Sequence, residues 1–124
     1  VPVFEDTQMG ISIGLALKGY IPVSIYPRMD FLICAMNQLV NHLDKFSKIS
    51  EFTPKVIIRT MVGTKFPLDS GPQHTQDHTK GLRELLKNIH VLRLDNALDV
   101  KETYHFALKA LQSVIVVEYG DLYK

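Results

Sequence analysis

Four short runs rich in Val and Ile, at 21–26, 55–59, 89–94 and 113–118, alternate with helical patterns along the whole chain. Apolar runs of this length, without polar alternation, predict strands covered on both faces, the condition of a parallel sheet. The helical stretches fall at 7–18, 30–46, 77–86 and 99–111. In the second, Leu32, Met36, Leu39, Leu43 and Phe46 recur at three- and four-residue spacing; in the fourth, Val100, Tyr104, Ala107 and Leu111 share a face. Asp6 stands where the first helix needs an N-cap and Gly19 where it must end. The alternation predicts an α/β fold, doubly wound, with a mainly parallel sheet, helices on both faces and right-handed crossovers. The chain enters its first helix almost directly after Val1 to Phe4, so the domain is expected to lack its N-terminal strand.

Composition narrows the function classes. With 124 residues, 46% hydrophobic and 22% charged, the chain is expected to form one globular domain over 1–124. Lys and Arg total 14 against 13 Asp and Glu, a net charge of +1 that offers no concentrated basic face and therefore no nucleic-acid partner. A single cysteine, Cys34, leaves no intrachain disulfide, and its place in an apolar helical stretch predicts a buried, inert thiol. No apolar run approaches the roughly 18 residues of a membrane span. The opening residues lack the pattern of a signal peptide, so a cytoplasmic protein without a membrane partner is the expectation.

One connection is long. Residues 60–75 read TMVGTKFPLDSGPQHT, a loop that follows the second strand. Loops of this length in small domains are usually functional, and ligands of open α/β sheets bind beyond the carboxyl ends of the strands. The phosphate-cradling glycine motifs and the nucleophile elbow are absent from the sequence. His74 and His78 are four apart, but no adjacent carboxylate motif accompanies them, and no metal site is assigned. His42 and His105 sit within helical patterns as expected surface or boundary residues.

The first helix carries a denser pattern: Glu5, four residues, Gly10, Ile11, two residues, Gly14 and Leu15. Glycines four apart on a helix lie on one face and let another backbone approach, either that of a second chain or the domain's own sheet. The order and spacing of these residues resemble the pyrimidine-binding domain of the thiamine-diphosphate enzymes. The run Gly14 to Gly19 is similar to the corresponding helix end of transketolases. The stretches Gly19-Tyr20-Ile21-Pro22 to Ala35-Met36-Asn37-Gln38, and Gly71-Pro72-Gln73-His74-Thr75-Gln76, resemble the beta subunit of the decarboxylating component of 2-oxo acid dehydrogenase complexes. The match runs without gaps from Glu5 to about Gln76 and continues more weakly through 89–94 and 114–118.

The resemblance implies thiamine diphosphate as cofactor and catalytic roles for Glu5 and His74. Glu5 would hydrogen-bond the aminopyrimidine ring; its other reading is a carboxylate complementing the helix dipole. Phe31 would lie against the pyrimidine, or else simply be core. His74 would assist proton or acyl transfer, or else be a solvated loop histidine. Gln73 and Gln76 would orient His74 or the substrate, and Gly10 and Gly14 would lie at an interface. The diphosphate and its Mg²⁺ would be held by a partner chain or domain carrying Gly-Asp-Gly, a tripeptide this sequence lacks. The chain is thus expected to be a fragment or half of a split enzyme, inactive alone and assembled as a homodimer or heterotetramer, acting on a 2-oxo acid or a ketose.

There are departures. Pro27 replaces a larger apolar residue, Arg28 and Met29 are unusual before Phe31, and the loop 64–70 lacks the small residues of the dehydrogenase pattern. Pro27 and the long loop favour a rival expectation, a degenerate, non-catalytic binding or regulatory module of the same fold; a second rival is a flavodoxin-like domain with another ligand.

Overall fold

A computed structural model describes residues 3–123. Val1 and Pro2, at the head of the short segment before the first helix, lie outside the described residues. The chain folds as α1 (Glu5–Leu17), β1 (Val23–Tyr26), α2 (Met29–Leu32), a 3₁₀ turn (Ile33–Ala35), a π-helical segment (Asn37–Leu43), α3 (Phe46–Ile49), β2 (Ile57–Val62), α4 (Thr79–Leu85), β3 (His90–Leu94), a 3₁₀ turn (Ala97–Asp99), α5 (Val100–Lys109), β4 (Val114–Tyr119) and a closing 3₁₀ turn (Gly120–Leu122). All pairings are parallel, in the order β1-β2-β4-β3. Helices lie on both faces, as the alternation predicts.

The two faces carry separate cores. Met9, Ile13, Leu32, Leu39, Leu43 and Leu82 pack from α1, the 29–43 segment and α4 onto Tyr26, Ile58, Ile115 and Val117. On the other face α5 supplies Ala107 and Tyr104 against Ile57, Leu94, Val114 and Val116. Only part of that second face is covered. In β1, Ser24 and Tyr26 are buried, whereas Val23 and Ile25 are 53% and 50% exposed. The expectation that every strand is covered on both faces therefore fails for β1, because it is an edge strand and α5 lies on the β3–β4 side.

Several local expectations are also corrected. α1 begins two residues earlier than read, with Phe4 at the cap position and no side-chain cap; Asp6 lies in the first turn. Gly19, at φ 89°, ends the helix region in the left-handed conformation that glycine adopts without steric cost. The 30–46 stretch is helical but not uniform, passing from α to 3₁₀ to π. This irregular winding keeps Leu32, Ala35, Leu39 and Leu43 buried while turning Cys34 outward, so the thiol expected to be buried is exposed. Leu111 does not share the buried face of α5, because Ala110 is extended and turns the chain away, leaving Leu111 85% exposed.

The π segment also delivers Asp44 to the interior. Its fully buried carboxylate accepts hydrogen bonds from the Lys87 and Asn88 amides at 2.8 and 2.7 Å and from Lys45 Nζ at 2.5 Å. Burial alone would raise the pKa of this carboxyl; the hydrogen bonds outweigh it and hold the group below its ordinary value. A depressed folded-state pKa contributes stability above the unfolded value, and that stability is lost as pH falls through the folded one. Thermal stability is therefore expected to decline below about pH 4, near the ordinary carboxylate range. In Asp44→Asn the acid limb should flatten, and melting curves across pH 2–7 measure it on an about 1-unit grid.

Candidate functional site

The carboxyl ends of β1, β2 and β4 converge on the long connection after β2. Its outgoing limb is pinned at two points: the Lys65 amide donates to Asp121 Oδ1 at 3.1 Å, and Thr64 packs on Gly120. A Cβ on Gly120 would lie 2.5 Å from Thr64 Cγ2, so the turn after β4 needs glycine for this approach. Gly63 is tighter still, since a Cβ there would fall onto the carbonyl oxygen of His74. The loop is thereby pinched shut between Gly63 and His74.

The returning limb lies over residues 29–31. The His74 ring meets the Phe31 ring edge-on, with centroids 5.5 Å apart. Gln76 Nε2 donates to Asp30 Oδ1 at 2.8 Å, and the His78 amide donates to Met29 Sδ at 3.0 Å. Asp77 accepts from the Tyr119 hydroxyl at 2.7 Å and from the Thr79 amide at 2.9 Å. Two of the residues singled out in the sequence, Phe31 and His74, are thus in contact. Gln76 is tied to Asp30, while Gln73 is exposed and makes no hydrogen bond among the described residues.

Glu5 is the first residue of α1 and is half-buried. Its backbone carbonyl accepts from the hydroxyl of Tyr26, the fully buried last residue of β1, at 3.3 Å. Among the described residues its carboxylate makes no hydrogen bond or ion pair, and the neighbouring Asp6 has a buried Oδ1 without a partner. Glu5 before β1 and Phe31 after it are therefore both anchored around the carboxyl end of that strand. A Cβ on Gly10 would make ordinary contact with the Gln38 side chain of the same chain, at 3.7 Å. At Gly14 nothing lies within 4 Å, and its neighbours Ile11 and Leu15 are exposed.

One polar cluster was not singled out in the sequence. Glu118, buried at the end of β4, accepts from Arg59 Nε and Nη2 at 2.8 and 2.9 Å, from the Tyr104 hydroxyl at 2.7 Å and from the Tyr123 hydroxyl. Burial works to raise the Glu118 carboxyl, but these donors prevail and hold it below the ordinary range. Arg59, hydrogen-bonded to Glu118, and Tyr104, desolvated beside it, are both raised. The signal available in the sequence was a charged residue in each of two otherwise Val- and Ile-rich strands, of opposite sign and in neighbouring strands once paired.

No family model matches the chain. Curated proteins do. The pyruvate dehydrogenase E1 component subunit beta of Staurastrum punctulatum is 26% identical over 98% of this chain and 37% of that protein. The chloroplastic subunit beta-3 of Arabidopsis thaliana is 28% identical over 98% of this chain and 30% of that protein. The corresponding subunit of Gracilaria tenuistipitata var. liui is 25% identical, with 98% and 38% covered. The chain thus spans about a third of the length of the curated relatives it matches. Sequence likeness along nearly the whole chain makes it a relative of part of these E1 beta subunits, and its all-parallel α/β sheet is consistent with the pyrimidine-binding domain that the sequence resembles.

Proposed function

We propose that the chain is the pyrimidine-binding half of a thiamine-diphosphate-dependent enzyme acting on a 2-oxo acid. The observation that carries this reading is the contact of His74 with Phe31 just after β1, together with the bond from Tyr26, the last residue of that strand, to the Glu5 carbonyl. The donor set suits an aminopyrimidine. Phe31 offers a half-buried aromatic face. Asp6 Oδ1 and Asp30 Oδ2 are buried acceptors without a partner among the described residues, and an amino group could supply a missing donor.

When bound, the cofactor supplies a nucleophilic carbon for attack on the substrate carbonyl. In this reading the Glu5 carboxyl would hold the pyrimidine end of the cofactor, as a group able to hold or give up a proton there. Phe31 would offer its aromatic face to the ring. His74, held in place by the pinch at Gly63 and by contact with Phe31, holds or moves a proton on the substrate side. The Mg²⁺–diphosphate end belongs to a partner carrying Gly-Asp-Gly, which makes the isolated chain inactive. The absence from the described residues of any helix long and apolar enough to cross a membrane is compatible with such an assembly.

Co-purification tests this reading. A companion chain with Gly-Asp-Gly and stoichiometric thiamine diphosphate is the expected result, read by mass spectrometry. A protein without cofactor or companion would instead favour a non-catalytic module of the same fold.

A further inference from the structure

The carboxyl ends of β1 and β2 border a cavity of about 270 Å³ that the reading above leaves unused. Its charged lining is Arg28, Arg59 and Glu118. Arg59 and Glu118 neutralise one another through paired hydrogen bonds. Arg28 has no such counterpart. Among the described residues it forms no ion pair, and its guanidinium donates only to the neighbouring Pro27 carbonyl, at 2.8 Å. Its stem crosses the pinch of the long loop: Arg28 Cδ lies 3.3 Å from where a Gly63 Cβ would stand, the position that also abuts the His74 carbonyl.

The cavity is therefore bordered by one arginine without an ion-pair partner among the described residues, in a concave setting beside the loop that carries His74. A guanidinium without a carboxylate partner gains most from an oxyanion, which can accept two parallel N–H donors. The volume suits a small group rather than a whole nucleotide. The carboxyl ends of parallel strands are also where open α/β sheets bind ligands.

We infer that this cavity takes an oxyanion, a carboxylate or phosphate group borne by the substrate, and that Arg28 is the residue that grips it. That the bearer is the substrate rests on the function proposed above; anion binding itself does not.

The test titrates the purified chain, with any companion that accompanies it, with inorganic phosphate and separately with pyruvate. Calorimetry at constant ionic strength reads the affinity. One saturable site is expected, weakened at least about tenfold in Arg28→Gln and less in Arg28→Lys, because a charge-assisted bidentate contact is lost or reduced. Arg93→Gln, which removes a cation already paired with Asp95, should leave the affinity unchanged. Tighter phosphate binding assigns the site to a phosphorylated ketose, and tighter pyruvate binding to a 2-oxo acid. Absence of saturable binding, or an equal effect of Arg28→Gln and Arg93→Gln, overturns the inference. Anion binding without any bound thiamine diphosphate would uphold this site while the proposed function failed.

Discussion

Replacing Glu5 by Ala in the assembled enzyme is expected to lower turnover by about 10²- to 10⁴-fold, the range lost with a positioned acid–base group. The fold should be unaffected. Among the described residues the Glu5 carboxylate takes part in no hydrogen bond or ion pair, and the Tyr26 contact reaches its backbone carbonyl, which alanine retains. Hydrogen exchange at C2 of the bound cofactor should slow in parallel with turnover, while assembly, followed by size-exclusion chromatography, stays intact. Glu5→Gln separates charge from shape and should be nearly as impaired. Near-normal turnover in either variant would leave Glu5 as a carboxylate at a helix N-terminus and nothing more.

The second large effect is expected at Gly63. An alanine Cβ there would meet the His74 carbonyl oxygen, a backbone atom with no flexible end to yield. The loop must move, at a cost of about 1–3 kcal/mol or more, as for other overpacked sites. His74 would move with it, away from Phe31. If His74 acts as proposed, displacing it by about 1 Å can cost roughly 100-fold in rate, so activity should fall further than stability alone explains. Gly14→Ala is the natural control for the isolated chain. Nothing lies within 4 Å of that position, and the substitution should stabilise α1 by up to about 1 kcal/mol through helix propensity. Melting temperatures of the two variants, measured together, separate close approach from backbone preference. A Gly63→Ala protein that melts and turns over like the parent would remove the pinch from the account of the site.

Much of the fold was legible along the chain. The four strands appear within a few residues of the Val- and Ile-rich runs that predict them, since a run of apolar, β-branched residues is a local property. Gly19 marks the end of α1 for an equally local reason, its left-handed backbone. The candidate site was legible only through order and spacing: Glu5, Phe31 and His74 were each singled out from a motif, but no periodicity states that two of them touch.

Hydrophobic period and chain punctuation act over a few residues, and so the identity and succession of the elements follow from the chain alone. The tertiary structure decided which strand lies at the edge, and hence that Val23 and Ile25 of β1 stay exposed. It decided that the helical stretch after β1 would wind unevenly, burying Asp44 and exposing Cys34. It also brought Arg59 to Glu118 and His74 to Phe31 across long separations in the chain. Those contacts depend on strand order and on loops closing at single glycines, and each is fixed by packing between distant segments rather than by the residues beside it.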